Sequence, residues 1–353
     1  MGLQTSVMEA LRLTRSGNLV EATALLQATL GGRAPAVPPA ATPIERGDDI
    51  IDLMPDRVSF QAAGSNDRDA IALLETRTFS GSGGVMNYRL YRPARFAPGM
   101  PLVVMLHGCT QSPEDFARGT GMNALADELG FIVAYPEQSR SANAQKCWNW
   151  FRPGDQQRDR GEPGLLAGVT RAIIAEHDAD PARIYIAGLS AGGAAAAIMA
   201  SEYPDIYAAV GVHSGLACGS ARDLSSALSA MKQGGPTGGS RQGRQPFVPV
   251  ITFHGSRDAT VHEINSRQIV AAAATAASVP LHIRVEQGRS GAGRAFSRRS
   301  SVDPQGSVVI EQWTIEGAGH AWAGGDAAGS YTDPKGPDAS REMIRFFLAI
   351  RHG

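Results

Sequence analysis

The chain has 353 residues and a mass of 37.1 kDa, which is enough for one large domain or two smaller ones. Its 33 Lys and Arg residues nearly balance its 34 Asp and Glu residues, so the net charge of −1 gives no electrostatic basis for binding nucleic acid or an anionic membrane. Hydrophobic residues make up 43% of the chain and charged residues 19%, a composition that excludes a disordered chain and needs no metal or disulfide to complete a core.

The N-terminus lacks the basic start and continuous apolar stretch of a secretory signal, so we interpret it as mature sequence. Residues 184–201 carry no charge, but the glycines at the centre of this stretch favour a strand, a turn and a helix over a membrane span. Cys109, Cys147 and Cys218 form neither a disulfide framework nor a zinc-ligand pattern. At most one pair of them can form a disulfide. Because a signal is lacking, we expect reduced thiols and a cytoplasmic location, with an unusual export route as the alternative.

The N-terminal residues are predicted to form an appendage to one large domain. Apolar residues at helical spacing within residues 1–30, interrupted by Gly17-Asn18, predict a small helical hairpin. Residues 31–70 begin with a Pro- and Ala-rich stretch that is typical of an extended linker. The main domain is expected to occupy residues 71–353.

Short apolar runs alternate with helical stretches along this domain. The runs that predict buried strands are 102–106, 131–135, 184–187, 208–212 and 250–253. The stretches that predict helices are 114–129, 164–177, 191–203, 263–277 and 340–350. The alternation predicts an α/β fold with a mostly parallel central sheet and helices on both faces. Segments 219–246 and 288–306 are expected to be solvated loops, with a lid or an anion-facing rim as the alternative.

The strongest local motif is Gly188-Leu189-Ser190-Ala191-Gly192, which lies between a predicted strand and an alanine-rich helix. A serine on a tight strand-to-helix turn presents its hydroxyl group to a cleft, and the flanking glycines allow the strand and helix to approach closely. The N-terminus of the helix adds backbone donors and the positive end of a dipole. Ser190 is therefore predicted to be a nucleophile.

A serine nucleophile needs a base, and the base needs an acid that orients it. In a sheet of this kind the acid precedes the base along the chain. Asp258 follows the predicted strand 250–253, and His320 lies in a loop of small residues after a later strand. We predict Asp258 as the acid and His320 as the base. The other candidates, interpreted as structural groups or weaker acids, are His107, His213, His254, His262, Asp205 and Asp303.

An oxyanion formed at the substrate needs two hydrogen-bond donors. The backbone N–H of Ala191, which follows the serine, is predicted to supply one of them. The loop after strand 102–106 is predicted to supply the other, from the N–H of Cys109, because Gly108 permits a sharp bend there. The Cys109 thiol is interpreted as a small buried hydrophobe or half of a disulfide rather than a nucleophile.

Several motifs fall in an order that resembles the poly(3-hydroxybutyrate) depolymerase family of esterases, which is related to feruloyl and acetylxylan esterases. The resemblance covers roughly residues 75–350. Its motifs are Leu106-His107-Gly108-Cys109-Thr110-Gln111, Tyr135-Pro136-Glu137-Gln138, Cys147-Trp148-Asn149-Trp150-Phe151, Gly188-Leu189-Ser190-Ala191-Gly192-Gly193 and Thr332-Asp333-Pro334-Lys335-Gly336-Pro337-Asp338-Ala339.

This resemblance implies an α/β-hydrolase fold and serine-esterase chemistry without a metal or cofactor. It implies that Ser190, Asp258 and His320 form the catalytic triad. It also implies that Trp148 and Trp322 line the substrate cleft, with a place in the core as the alternative. On the same analogy, Cys109 and Cys147 can form a disulfide.

The substrate is expected to be a short hydroxyalkanoate oligomer or a small carboxylic ester. The chain lacks a recognisable signal and ends at Gly353 after a predicted helix, which leaves no room for a separate polymer-binding domain. The alternatives are a feruloyl or acetylxylan type of carbohydrate esterase, an acyltransferase, thioesterase or peptidase with the same triad, and a non-catalytic binding module. Because many members of the resembled family are secreted, an extracellular location is the alternative to the cytoplasm. The sequence does not predict the oligomeric state.

Overall fold

A computed structural model of the chain describes residues 73–81, 83–236 and 247–352. The predicted hairpin at residues 1–30 and the predicted linker at residues 31–70 lie outside the described residues. The boundaries of the main domain therefore stay a prediction.

Twelve strands are present in the described residues. Numbered along the chain, they are β1 (Leu73–Gly81), β2 (Gly84–Arg92), β3 (Leu102–Leu106), β4 (Ile132–Pro136), β5 (Ile184–Leu189), β6 (Ala209–His213), β7 (Val250–Gly255), β8 (His282–Arg289), β9 (Ala295–Val302), β10 (Val308–Ile315), β11 (Trp322–Ala323) and β12 (Thr332–Asp333). The first ten form one sheet in the order β1-β2-β4-β3-β5-β6-β7-β10-β9-β8. Its six central strands, from β4 to β10 in that order, are parallel, and antiparallel pairs flank them at both edges.

The helices lie between these strands, as the predicted alternation requires. They are α1 (Pro113–Thr120), α2 (Met122–Leu129), α3 (Gly161–His177), α4 (Ala191–Glu202), α5 (Leu224–Gln233), α6 (Ile264–Ala276) and α7 (Ala339–Leu348), with a short 3₁₀ turn at Pro153–Gln156. The single helix predicted at 114–129 is two helices, because Gly121 adopts a left-handed φ of 63° and ends α1. None of the helices in the described ranges is both long enough and apolar enough to span a bilayer.

Two hydrophobic layers cover the two faces of the sheet. Along β3, Leu102 and Val104 enter one layer and Val103 and Met105 enter the other, because side chains alternate between faces. Helices α3, α4, α5 and α6 pack on the first face, and α1, α2 and α7 pack on the second. The predicted α/β fold, with a mostly parallel sheet buried on both faces, is confirmed.

The two segments expected to be loops contain regular structure. Segment 219–246 contains α5, which begins at Asp223, whose carboxylate accepts a hydrogen bond from Ser226 N at 2.7 Å. Only small residues of α5 are buried, so its apolar face gives a weak sequence signal. Segment 288–306 contains β9, which pairs with β8 as an antiparallel hairpin. Strand β8 is exposed along almost its whole length, so no alternation of apolar residues revealed this hairpin.

Candidate active site

The residues singled out from the sequence follow the carboxyl ends of the parallel strands. Cys109 follows β3, Ser190 follows β5, Asp258 follows β7 and His320 follows β10. Parallel strands end at the same edge of a sheet, and ligands of open α/β sheets bind in the crevice outside that edge. The strand order therefore gathers all four residues along one edge.

Ser190 lies on a turn that only small flanking residues permit. Its φ of 57° and ψ of −119° are unusual for a residue with a side chain and are typical of strain at a functional site. A Cβ atom added to Gly188 would lie 2.4 Å from the backbone carbonyl of Gly192, and one added to Gly192 would lie 2.1 Å from Leu106 O. The two glycines of the motif are thus required by the close approach of β5, α4 and the end of β3.

His320 and Asp258 are in direct contact. His320 Nδ1 lies 2.7 Å from Asp258 Oδ2, and the other carboxylate oxygen accepts the N–H groups of Thr260 at 2.9 Å and Val261 at 2.8 Å. Burial alone would raise the pKa of Asp258, but the hydrogen bonds from His320 and Val261 outweigh it and hold the pKa below its ordinary value. Asp258 therefore stays ionised and fixes a proton on Nδ1 of His320, which leaves Nε2 as the basic nitrogen.

The Ser190 hydroxyl and His320 Nε2 make no hydrogen bond within the described residues, either with each other or with another group. A nucleophile and its base are often poorly aligned without substrate and approach only in the complex. The His320 side chain is 13% exposed, so it is accessible from the edge of the sheet. Both groups are available for proton transfer.

His254 lies beneath the carboxylate of Asp258 as a structural group. Its Nε2 lies 2.7 Å from Val261 O, to which it donates a hydrogen bond, and 3.5 Å from Asp258 Oδ2. Burial lowers the pKa of His254, so the ring remains neutral. Its side chain is 2% exposed, so a substrate has no access to it.

His213 contacts both the serine turn and the histidine loop, a role that the sequence did not single out. Its carbonyl oxygen accepts the N–H of Ser190 at 2.9 Å, and its imidazole Nε2 accepts the N–H of Ala323 at 3.0 Å. Its ring stacks on Trp322 with the centroids 5.0 Å apart. Burial lowers the pKa of His213 to about 3, which keeps Nε2 unprotonated as this contact requires. The position of His213 at the end of β6, beside β5, is the signal that could have indicated the role.

The predicted oxyanion donors are the N–H groups of Cys109 and Ala191. Neither N–H has an acceptor among the described residues, so both are free to bind an anionic oxygen. The loop that carries Cys109 is held by Gln111, whose Oε1 accepts the N–H of Gly108 at 2.9 Å. Ala191 begins α4, where the helix dipole adds positive potential.

Cys109 is covalently linked to Cys147, with a Cα–Cα distance of 4.2 Å. The expectation of reduced thiols is therefore wrong for this pair, whereas the pairing implied by the family resemblance is present. Cys218, the third cysteine, is not part of this bond. The disulfide joins the loop after β3 to the segment that follows β4.

A buried carboxyl group supports the segment around Cys147. One oxygen of Glu162 accepts the N–H of Asn149 at 2.8 Å, and the other accepts Asn149 Nδ2 at 2.6 Å and Gln138 Nε2. Burial raises the pKa of Glu162 to about 7, and the nearby Asp155 adds to the rise against the effect of these donors. Sequence reasoning missed Glu162, since a glutamate in the first turn of a helix is ordinary.

The structure corrects the expectation that Trp148 and Trp322 line the cleft. Trp148 is 0% exposed and donates its indole N–H to His107 O at 3.0 Å, whereas Trp322 is 1% exposed and donates to Ser340 Oγ at 3.0 Å. Both rings belong to the hydrophobic core, one on each face of the sheet. They pack beneath the loops that carry Cys109 and His320, and neither ring is exposed enough to contact a substrate.

The weaker candidates have other partners. Asp205 forms an ion pair with Arg158 at 2.6 Å, and Asp303 accepts backbone N–H groups of the turn before β10. His107 donates to Gly108 O and accepts the N–H of Gln138, and burial lowers its pKa to about 4. Over the described ranges, His, Cys, Asp and Glu side chains form no cluster of three or more that could hold a metal ion.

Residues 86–304 match a family model described as Esterase PHB depolymerase. Poly(3-hydroxyalkanoate) depolymerase C of Paucimonas lemoignei is 30% identical over 259 residues, which cover 70% of this chain and 61% of that protein. Acetylxylan esterase A of Talaromyces purpureogenus is 26% identical over 202 residues, 52% of this chain and 51% of that protein. The chain thus spans between half and two thirds of the length of these relatives.

The fold is also similar to that of a solved acetyl xylan esterase from Aspergillus awamori. The two structures align with a TM-score of 0.61 and 18% identity, over 78% of this chain and 99% of that chain. This likeness supports the α/β architecture alone.

Proposed function

The chain belongs to the PHB depolymerase family of esterases, and from this premise we propose that it is a serine hydrolase that cleaves carboxylic esters through an acyl-enzyme intermediate. The observation that carries the proposal is the contact between His320 and Asp258 on the sheet edge where Ser190 occupies its strained turn. The proposed reaction requires no metal or cofactor, because three side chains and two backbone amides are sufficient to catalyse it.

In the proposed reaction, Ser190 Oγ attacks the ester carbonyl while His320 Nε2 removes the hydroxyl proton. Asp258 keeps the imidazole in the required tautomer and stabilises the imidazolium ion. The tetrahedral oxyanion is bound by the N–H groups of Ala191 and Cys109. The C–O bond to the alcohol then breaks, and His320 returns the proton to the leaving oxygen.

Water completes the cycle by the same route in reverse. His320 deprotonates a water molecule, which attacks the acyl-enzyme, and the proton returns to Ser190 when the carboxylic acid leaves. The strained backbone of Ser190 and the hydrogen bond from its N–H to His213 hold the hydroxyl in one position throughout.

We propose short hydroxyalkanoate oligomers or small carboxylic esters as the substrates. The similarity to a poly(3-hydroxyalkanoate) depolymerase supports the first class, and the similarity to an acetylxylan esterase makes acetyl esters the second candidate. The near-zero net charge suits a neutral ester.

The compartment is a separate proposal. A disulfide such as Cys109–Cys147 forms and persists in an oxidising environment, so it favours an extracytoplasmic location over the cytoplasm.

The test combines covalent labelling with turnover. A fluorophosphonate probe should label the native protein at Ser190, and Ser190→Ala should lose both the label and at least about 10⁴-fold of the turnover of 4-nitrophenyl acetate. The control is Ser229→Ala, which removes an exposed hydroxyl on α5 that accepts Gln233 Nε2 at 2.8 Å. Labelling without turnover would favour a different acyl acceptor, and an unlabelled protein would favour a non-catalytic binding module.

The substrate class is tested with hydroxybutyrate oligomers, feruloyl esters, acetylated xylo-oligosaccharides, thioesters and amides, with product analysis. We expect the highest kcat/KM on hydroxybutyrate oligomers or small acyl esters. Preference for a thioester or an amide would overturn the proposed substrate class without affecting the triad.

A further inference from the structure

Resting on the proposed function, we infer that Tyr331 forms a wall of the ester-binding cleft and adds contact to a bulky apolar or aromatic substituent on either the acyl or the alcohol side of the ester. Tyr331 lies in the loop between β11 and β12. This loop follows the segment that carries His320 and contacts the loop that carries Cys109. The inference comes from four observations.

First, Tyr331 is the only exposed aromatic side chain in the described part of the chain. Its side chain is 47% exposed, whereas the six other tyrosines and all four tryptophans are buried. An exposed aromatic ring does not gain the stabilising free energy that burial would provide. Exposed aromatic surface commonly marks a contact site.

Second, the exposure does not result from a loose loop. The neighbouring Ser330 is held on α1 by Asp115, whose carboxylate oxygens accept Ser330 N at 3.0 Å and Ser330 Oγ at 2.5 Å. Gln111 Nε2 donates to Ser330 O at 3.0 Å. On the other side of Tyr331, Thr332 pairs with Trp322 in the short parallel ladder of β11 and β12. The ring is therefore presented from a backbone that is held on both sides.

Third, the backbone of Tyr331 has a φ of 53°, in the left-handed region that disfavours a residue with a side chain. Its carbonyl oxygen accepts the N–H of Trp322 at 2.7 Å, two residues after His320. A conformation of this cost persists where the surrounding structure requires it, and such residues cluster at ligand-binding positions.

Fourth, the Tyr331 hydroxyl lies 3.3 Å from Thr110 Oγ1, in the residue that follows Cys109. Thr110 Oγ1 donates its only proton to Cys109 O at 2.6 Å, so the tyrosine hydroxyl is the donor to Thr110. The tyrosine side chain thus reaches from the loop between β11 and β12 to the oxyanion loop.

These contacts determine what the ring can touch. An ester whose carbonyl oxygen binds the N–H of Cys109 has its carbon substituents within a few ångströms of that loop, where Tyr331 stands. A flat aromatic face gives apolar and stacking contacts to a large substituent and nothing to a methyl group. The expected preference therefore depends on the size and apolarity of the ester substituent. It arises from contact with the ring of Tyr331, and its hydroxyl does not contribute.

The test measures kcat/KM for two series of esters. One series varies the acyl group of 4-nitrophenyl esters from acetyl to octanoyl, and the other varies the alcohol of acetate esters from ethanol to 2-naphthol. Tyr331→Ala should reduce kcat/KM for the large members of at least one series by about tenfold or more, mainly through KM, and change 4-nitrophenyl acetate by less than about threefold.

Two variants serve as comparisons. Tyr331→Phe keeps the ring and should retain most of the preference, and Val285→Ala, which shortens an exposed side chain on β8, should leave both series unchanged. Because alanine and phenylalanine both keep a Cβ atom, neither variant relieves the backbone strain at this position.

A uniform loss across all esters, or no loss on any of them, would overturn the inference. The proposed function is measured separately by the dependence of 4-nitrophenyl acetate turnover on Ser190. Calorimetric binding of the largest ester of the affected series to Ser190→Ala and to Ser190→Ala/Tyr331→Ala tests the contact without any turnover. Equal affinity of these two variants would also overturn it.

Discussion

The imidazole Nε2 of His213 accepts a hydrogen bond from the backbone N–H of Ala323 at 3.0 Å. The same residue accepts the N–H of Ser190 through its carbonyl oxygen. One buried residue, through its backbone carbonyl and its side chain, therefore fixes the distance between the turn of the proposed nucleophile and the loop of the proposed base, His320. Positions of reacting groups matter because a misplacement of about 1 Å can cost about 100-fold in rate.

Replacing His213 should affect both stability and turnover. His213→Phe keeps a ring that stacks on Trp322 but removes the acceptor, and a buried N–H left without a partner costs about 1 to 3 kcal/mol. We expect the free energy of unfolding to fall by that amount and kcat for ester hydrolysis to fall more than KM rises. Urea unfolding and steady-state kinetics measure the two effects.

The comparison variant is His213→Gln, whose side-chain carbonyl can occupy the position of Nε2. It should recover part of the lost kcat, since the acceptor for Ala323 is restored. If phenylalanine and glutamine reduce stability but leave kcat at the native value, His213 is structural only.

Asp258→Asn should reduce kcat by about 10⁴-fold with little change in KM. An asparagine of the same size no longer fixes the proton on Nδ1 of His320, so Nε2 is no longer reliably basic. Asp205→Asn and Asp303→Asn are matched controls because both carboxylates have other partners, and they should retain native kcat. Equal losses in all three variants would argue against the assignment of Asp258.

The disulfide between Cys109 and Cys147 should contribute to stability and to the shape of the oxyanion loop. It closes a loop with a sequence separation of 38 residues, for which the loss on removal is typically about 2 to 4 kcal/mol. In the variant Cys109→Ser/Cys147→Ser, the free energy of unfolding should fall by that amount and kcat should also fall. Cys218→Ser should change both quantities only slightly. Native stability and native kcat after reduction with dithiothreitol would contradict this expectation.

The sequence predicted the structure best for strands that are buried on both faces of the sheet and for tightly packed turns. The apolar run at β3 predicted its strand, and the motif around Ser190 predicted its turn, because close packing and tight turns restrict which residues are possible. The hairpin of β8 and β9 was missed because an exposed outer strand needs no apolar pattern. The contact of His213 with Ala323 joins residues 110 positions apart, so only the folded chain reveals it.

The two tryptophans show what a local motif does not predict, which is the direction of a side chain. A motif places Trp148 and Trp322 near functional residues along the chain, but it does not state which way a ring points, and both rings point into the core. Tyr331, whose ring does face outward, carries no motif of its own beyond its place before Thr332. Exposure depends on tertiary packing and could not be predicted from local sequence.

The buried carboxyl group of Glu162 should make stability depend on pH. Burial raises its pKa to about 7 in the folded protein from an ordinary value of 4.5, so between these pH values the folded chain holds a proton that the unfolded chain has lost. The contribution of this group to stability is therefore fully present below about pH 4.5, declines as the pH rises, and is lost above about pH 7. The decline is about 3 kcal/mol at most, since one pKa unit corresponds to about 1.4 kcal/mol.

Urea unfolding from pH 5 to pH 8 measures this dependence. Glu162→Gln should be less stable than the native protein, because its amide cannot accept the hydrogen bonds that both carboxylate oxygens take from Asn149, and its stability should decline less with rising pH. The matched control is Glu128→Gln, which removes an exposed carboxyl group paired with Arg341 and should leave the native slope unchanged in this range. Glutamine does not titrate in this range. If Glu162→Gln retains the native dependence of the free energy of unfolding on pH, that dependence belongs to another group.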